Sequence, residues 1–204
     1  MKSGIVFASI VLALGMGVAH AAGDAKAGQS KAAACAACHG LDGNSNGPEW
    51  PNLAGQHESY IIKQLKAFKS GQRVNVLMTP QAQLLNDQDM EDVAAYFTLQ
   101  KVKGSEADAS KVNSGRQIYQ GGVAANKVTA CGPACHGPDG RGNPAAGYPS
   151  LHGQRAAYVM LQLQNYRSGT RTTDKAQGTV MEMEAGKLTD DQIKAVAAYI
   201  QGLR

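Results

Sequence analysis

The sequence of 204 residues contains one pattern twice, and this internal repeat restricts the fold more than any other feature. Residues 50–73 align without a gap with residues 148–171, at an offset of 98, and ten of the aligned positions are identical. A second block, residues 85–97, aligns with residues 188–200 at an offset of 103. Because two copies are too few for a solenoid, the repeat predicts two tandem domains with related folds.

The segments around the repeat give the predicted domain boundaries. Residues 1–21 form a leader, residues 22–100 the N-terminal domain and residues 113–204 the C-terminal domain. Residues 101–112, with the sequence KVKGSEADASKV, show little apolar periodicity and are predicted to be the linker.

The leader has the pattern of a secretory signal peptide. Lys2 precedes an apolar run from Ile5 to Leu14, and small residues end the leader before a predicted cleavage site after Ala21. The alternative is a membrane anchor, although the apolar run is shorter than the roughly 20 residues that a membrane-spanning helix needs. We therefore expect the chain to be exported to the periplasm and the leader to be cleaved.

The mature chain carries a small net charge. Without the leader, 19 basic residues face 16 acidic ones, which leaves +3. No basic run is interleaved with aromatic residues, so the sequence gives little support for nucleic-acid binding.

Each repeat contains two cysteines and a histidine in close succession. In the first, CAACH places Cys35 and Cys38 next to His39. C-x-x-C-H is the haem-attachment signature of c-type cytochromes, in which each thiol forms a thioether with one haem vinyl group and the histidine ligates the iron. A redox dithiol and a zinc site are the alternatives. A dithiol does not need the histidine, however, and zinc needs two further ligands.

The second motif, CGPACH, has one extra residue between its cysteines. Cys135 and His136 stay in register with the first motif at an offset of 97, so only Cys131 has moved. Gly132 and Pro133 are a turn-forming pair that can absorb the extra residue. We interpret the two motifs as one kind of site made twice. The alternative for the second is a haem held by a single thioether.

A methionine in each repeat is predicted to be the second axial ligand of its iron. Met78 and Met181 each stand seven residues before the aligned leucine of the second block, in Gly/Pro-bounded segments expected between helices. A thioether is soft and neutral, so it favours ferrous iron and raises the potential. Core packing is the ordinary alternative for a methionine. Met183 is the alternative ligand in the second repeat, although it aligns with Pro80.

The remaining pattern is helical, with loops rich in Gly and Pro and no convincing strand. Residues 60–70 place Ile61, Leu65 and Phe68 on one helix face before Gly71. Other helix starts are predicted at or near four positions: Asp24, Asn86 or Asp87, Ser114, and Thr189, which resembles a capping box with Gln192.

Together these features resemble the di-haem cytochrome c4 family. The resemblance covers nearly the whole mature chain. It rests on the paired haem motifs, the P-x-L-x-G-Q block with its later tyrosine and arginine, the late methionine and the VAAY sequence of the closing helix. It implies an all-α fold of two tandem class I cytochrome c domains with approximate two-fold symmetry.

The resemblance also implies two covalently bound haem c groups. Attachment would use Cys35, Cys38, Cys131 and Cys135, and the axial ligands would be His39 with Met78 and His136 with Met181. The carbonyls of Pro51 and Pro149 would accept the Nδ1 proton of the two histidines. Four further residues would contact haem propionates, or alternatively lie at ordinary exposed helix ends: Gln56, Arg73, Gln154 and Arg171.

The function implied by the resemblance is electron carriage, without catalysis, between respiratory-chain partners. The acceptor would be a terminal cytochrome oxidase, and the donor a periplasmic cytochrome, a copper protein or a quinol-oxidising complex. Any association with the membrane would be through those partners. The alternatives are a cytochrome subunit of a flavoprotein dehydrogenase and a di-haem peroxidase, which needs an open or displaceable axial position.

Overall fold

The computed structural model describes residues 22–203, so the predicted leader lies outside the described residues. Within that range the chain is helical and contains no strand. Its two isolated β-bridges join Val123 to Val128 and Asn143 to Tyr148. None of the helices in the described range is long and apolar enough to cross a membrane.

The N-terminal domain contains five α-helices. They are α1 (Ala25–Lys31), α2 (Ala36–His39), α3 (Glu58–Lys69), α4 (Met78–Gln83) and α5 (Asp87–Thr98). A 3₁₀ turn, Ala32–Cys35, connects α1 directly to α2.

The C-terminal domain repeats this order with one substitution. Its α-helices are α6 (Ala109–Gly121), α7 (Ala156–Arg167), α8 (Val180–Gly186) and α9 (Asp190–Gln201). In the place of α2 stands a π-helical turn, Gly132–His136. Short 3₁₀ turns lie at Ala124–Asn126 and Lys175–Gln177.

In each domain the first helix packs across the last, and a glycine makes this close approach possible. A Cβ atom at Gly28 would lie 1.9 Å from the carbonyl oxygen of Asp92, and one at Gly115 would lie 2.0 Å from that of Ala195. No side chain fits between such backbones. Gly28 and Gly115 are therefore equivalent positions, and the same is true of Asp92 and Ala195.

The predicted α3 and its buried face are confirmed. The helix ends at Lys69, and Ile61, Leu65 and Phe68 are all buried. Ile61 and Leu65 join the N-terminal core, to which α5 contributes Met90 and Phe97 among others. The C-terminal core is built in the same way by α6, α7 and α9.

Most of the predicted helix starts are also confirmed. Asp24 caps α1, and both closing helices begin with a capping box, formed by Asn86 with Asp89 in α5 and by Thr189 with Gln192 in α9. The start near Ser114 is wrong. Asp108 caps α6, so this helix begins at Ala109, inside the predicted linker. The domain boundaries themselves stay a prediction.

The predicted linker lies between the two domains and contacts both. Val102 approaches Gly55 of the first repeat and Gly153 of the second, where added Cβ atoms would lie 3.3 and 2.8 Å from its two methyl groups. The carboxamide of Asn44 also bonds the backbone of the linker at Lys101 and Lys103. The first residues of the predicted linker, 101–103, therefore form part of the domain interface.

Candidate haem sites

The first site is built on the turn that joins α1 to α2. Cys35 ends the 3₁₀ turn, Cys38 lies in α2, and His39 is its last residue. The His39 ring is buried, and its Nδ1 donates to the carbonyl of Pro51 at 2.9 Å. Burial lowers the pKa of His39, which keeps the ring neutral. Because Nδ1 carries the proton, Nε2 keeps a lone pair that can bind a metal.

The second site has the same histidine arrangement. His136 is buried, its Nδ1 donates to the carbonyl of Pro149 at 3.0 Å, and burial lowers the pKa of its ring. The two proline carbonyls therefore hold the two histidines in the same tautomer, as the family resemblance implied.

The extra residue of the second motif is absorbed by the π-helical turn. A Cβ atom at Gly132 would lie 2.5 Å from the ring of Tyr119, which is fully buried and donates to the carbonyl of Gly137. Only glycine fits beside that ring. Cys131 and Cys35, the first cysteines of the two motifs, each pack against the core of their own domain.

None of the four cysteines is paired in a disulfide, and all four have intermediate exposure. Burial raises the pKa of the Cys35 and Cys135 thiols, and that of the Cys131 thiol to about 11. Within residues 22–203 no three His, Cys, Asp or Glu side chains are grouped so that they could hold a metal ion. The described residues therefore add no ligand to the zinc interpretation.

The methionines lie in short helices rather than in the irregular segments that we expected. Met78 is the first residue of α4 and Met181 the second of α8. Both are half-buried and pack against the core of their own domain. Met183, the alternative ligand in the second repeat, is 53% exposed.

Sequence reasoning missed the two polar side chains that hold these methionines. The carboxamide of Asn75 accepts the N–H groups of Leu77 and Met78, and the carboxylate of Asp174 accepts that of Met181 at 2.7 Å. An Asn or Asp shortly before a helix is a common start signal. The signal was missed because its spacing differs between the repeats. Asn75 stands three residues before Met78, whereas Asp174 stands seven residues before Met181.

Six polar side chains form an interdomain arginine cluster. Its members are Tyr60, Gln64, Arg73, Tyr158, Gln162 and Arg171. Arg73 donates to the tyrosine and the glutamine of the opposite domain at 3.1 and 2.8 Å, and Arg171 does the same in the other direction at 2.8 and 3.1 Å. Exchange of equivalent contacts between two repeats is the mark of an approximate two-fold axis.

Two glutamines form hydrogen bonds across the interface to loops of the opposite domain. These loops contain the prolines that accept from the two histidines. Gln154 exchanges two hydrogen bonds with the backbone of Asn52, and Gln56 does the same with the backbone of Ser150. Asn52 and Ser150 directly follow the prolines whose carbonyls hold the two histidines. The interface and the two candidate sites therefore share the same loops.

The residues present fit a covalently bound haem in each domain. Each domain offers two unpaired thiols, a buried neutral histidine whose Nδ1 is fixed by a backbone carbonyl, and a half-buried methionine. Thiolate or thioether sulfur with imidazole nitrogen is a donor set that suits iron in a porphyrin.

Comparison with known proteins agrees with this chemistry. The family model described as Cytochrome c matches residues 25–99 and 112–204. Cytochrome c4 of Pseudomonas aeruginosa is 48% identical to this chain over 96% of each sequence. The thiosulfate dehydrogenase electron acceptor of Stutzerimonas stutzeri is 37% identical over 82% of this chain and 78% of that protein.

A solved structure shows the same architecture. The crystal structure of reduced recombinant cytochrome c4 from Pseudomonas stutzeri aligns with a TM-score of 0.85 and 44% identity, covering 90% of this chain and 100% of that chain. The all-α fold of two tandem cytochrome c domains is thereby confirmed. With two covalently bound haem c groups and a role in electron transport, this chain belongs to the di-haem cytochrome c4 family.

Proposed function

We propose that this chain is a periplasmic carrier of single electrons with no substrate chemistry of its own. Haem attachment uses Cys35, Cys38, Cys131 and Cys135, and the axial ligand pairs are His39 with Met78 and His136 with Met181. The observation that carries the proposal is the histidine of each domain. Its Nδ1 proton is held by a proline carbonyl, which leaves Nε2 to face a metal.

The side chains of each site suit electron transfer rather than catalysis. Haem, when bound, supplies the one-electron couple of its iron. The Nδ1 hydrogen bonds hold each imidazole in one tautomer and one orientation, so the nitrogen ligand need not move between oxidation states. The methionine sulfur is neutral and favours the reduced state. With a histidine and a methionine both bound to the iron, each site would have no position left for a substrate.

The surroundings of the methionines support Met181 over Met183. Met181 packs against the C-terminal core as Met78 does against the N-terminal core, whereas Met183 is more than half exposed. The same reasoning supports two thioethers in the second site, because Cys131 packs against its own core as Cys35 does, despite the extra residue.

The interdomain arginine cluster supports the proposed propionate contacts. The hydrogen bonds described for Arg73 and Arg171 go to amide, phenol and hydroxyl oxygens and not to carboxylates. Two guanidinium groups in the interface are thus available to balance anionic groups, and Arg171 is buried. We propose that they balance haem propionates near the interface.

Carbon monoxide tests the carrier proposal, because it binds only to iron with an open or easily vacated position. We expect both haems of the isolated protein to be low-spin and the reduced protein to bind carbon monoxide slowly and in small amount. Rapid binding of one equivalent at either haem would contradict the proposal and favour the peroxidase alternative.

The proposed location follows from the leader. We expect the haem-loaded chain in the periplasm to lack residues 1–21, and haem attachment to depend on export. Mass spectrometry of the periplasmic and membrane fractions would check this. A haem-loaded chain that retains Lys2 in the membrane fraction would show that the leader is an anchor.

We propose a terminal cytochrome oxidase as the acceptor. A specific second candidate comes from the relative named as a thiosulfate dehydrogenase electron acceptor, which is compatible with a dedicated dehydrogenase as the donor. Stopped-flow reduction of the purified chain by thiosulfate dehydrogenase with thiosulfate would test this donor. Re-oxidation of the reduced chain by a membrane oxidase would test the acceptor. Failure of either reaction at physiological concentrations would remove that partner.

A further inference from the structure

The helix that carries each methionine is held at its start by a different kind of side chain. At the first site the neutral carboxamide of Asn75 accepts the N–H groups of Leu77 and Met78 at 3.0 and 2.9 Å. At the second site the carboxylate of Asp174 accepts those of Met181 and Glu182 at 2.7 and 3.2 Å. The bond is the same, but only the second acceptor carries a formal charge.

The two acceptors also differ in their exposure to water. Asn75 is exposed, whereas Asp174 is only 6% exposed. One oxygen of Asp174 binds the two N–H groups, and the other, Oδ1, is buried without a hydrogen-bond partner among the described residues. A buried charge interacts with its surroundings much more strongly than an exposed one, because little water screens it.

The longer second loop fixes Asp174 in place. Its backbone carbonyl accepts the N–H groups of Gln177 and Thr179. Thr179 has a φ of +59°, a left-handed conformation that costs energy in a residue other than glycine. The loop thus closes on itself around Asp174, and its carboxylate is held against the first turn of α8.

A lysine of the first domain lies within electrostatic reach of this carboxylate. Lys63 donates to Gln177 across the domain interface at 2.6 Å. Burial lowers the pKa of Lys63, and the negative charge of Asp174 opposes that effect. The charge of Asp174 therefore reaches one side chain of the first domain, Lys63, at the interface.

We propose that Asp174 is the positioning residue of the second haem site and that its buried negative charge makes this haem easier to oxidise than a neutral residue would. The inference rests on the proposed role of Met181 as ligand. By holding the N–H of Met181, Asp174 places the sulfur. A negative charge beside a metal centre stabilises the oxidised state, which carries one more positive charge. Asn75 holds Met78 by the same kind of hydrogen bond, but it is neutral and therefore does not stabilise the oxidised state of the first haem.

Asp174→Asn separates the two effects, because the amide keeps the shape and the accepting oxygen but not the charge. We expect both haems of the full-length protein to keep their sulfur-to-iron charge-transfer bands. The potential of the second haem should rise, with about a tenfold change in its one-electron equilibrium constant, or about 59 mV. The first haem should change little.

Two further variants complete the experiment. Asp174→Ala removes the acceptor as well, so we expect the charge-transfer band of the second haem to weaken and its carbon monoxide binding to increase. Asn75→Asp is the matched control at the first site. It should lower the potential of the first haem, by less than the shift at the second because Asn75 is exposed.

The inference is overturned if Asp174→Asn leaves both potentials unchanged or lowers that of the second haem. It is also overturned if Asp174→Ala keeps the full band without any increase in carbon monoxide binding. Failure of the underlying assignment looks different. If Met181 is not the ligand, Met181→Ala leaves both charge-transfer bands intact whatever Asp174 does.

Discussion

Met181 and Met183 stand two residues apart in α8, and only one of them can occupy an axial position. We expect Met181→Ala to abolish the charge-transfer band of one haem and lower its potential, because a neutral soft ligand is lost. Met183→Ala, at a half-exposed position of the same helix, should leave both bands in place. Near-infrared spectra of the two oxidised variants would check this. The reverse pattern would move the ligand to Met183.

Gly132 is predicted to control how the second haem is attached. Gly132→Ala would push a methyl group against the ring of Tyr119, and such overpacking costs about 1–3 kcal/mol. We expect the turn to shift and more chains to keep a free thiol at Cys131. Mass spectrometry of the haem-bearing peptide would measure that fraction. Gly121→Ala is the control, since a Cβ atom there meets nothing within 4 Å. Equal attachment in both variants would contradict the account.

At the scale of helices, the two domains fasten their first and last helices differently. Lys31 of α1 forms ion pairs of 2.6 Å with Asp89 and Asp92 of α5, and Asp92 is buried. The position of α9 equivalent to Asp92 is Ala195. The N-terminal helix pair therefore depends on charge where the C-terminal pair depends on apolar packing.

This ion-pair arrangement predicts that acid weakens the packing of α1 against α5. The hydrogen bond from Lys31, with others, lowers the pKa of Asp92 from 3.8 to about 2. A lowered pKa stabilises the fold above pH 3.8, and that stability is lost as the pH falls toward 2. Asp92→Asn should cost about 1–3 kcal/mol at neutral pH and reduce the acid dependence. Unfolding measured against pH would check this, and an unchanged acid dependence would contradict it.

The helices could be predicted from the sequence where local signals are strong. The apolar spacing of α3, the start of α5 at Asn86 or Asp87 and the capping box of α9 depend on residues close together in the sequence, and all were confirmed. The start of α6 was missed because Asp108 lies in a polar segment without apolar periodicity. The π-helical turn was not predicted either, because it depends on Tyr119 of the preceding helix α6 packing against Gly132, a contact that no local pattern shows.

At the scale of the whole molecule, the linker is predicted to fix the two domains against each other. Gly153→Ala would place a methyl group 2.8 Å from Val102 and also strain a φ of +62°. Gly169→Ala is a matched control, because its φ is +73° but nothing lies within 4 Å. The control should lose about 1–2 kcal/mol from backbone strain alone.

We expect Gly153→Ala to lose more stability than this control and to change the separation between the two haem potentials, since the interface and the histidine loops are shared. Denaturant unfolding and redox titration of both variants would check this. Equal losses with unchanged potentials would show that the linker contact does not couple the domains.

The duplication could be predicted because the two copies align directly in the sequence. The two domains and the proposed ligands follow from that alignment. The reciprocal arrangement of the domains could not be predicted. Arg73 and Arg171 each belong to their own repeat, but each donates two hydrogen bonds to the other domain, a contact that no local pattern encodes. Asp174 was missed because the second loop is longer than the first, so Asp174 does not align with Asn75.

The central claim is that each domain holds one haem between a histidine and a methionine. The most direct test is to compare the haem content of the oxidised protein with the intensity of the sulfur-to-iron charge-transfer band. The account predicts two covalently bound haems and two equivalents of the band per chain, with no high-spin iron. Two haems with only one equivalent of the band, or with high-spin iron, would contradict it.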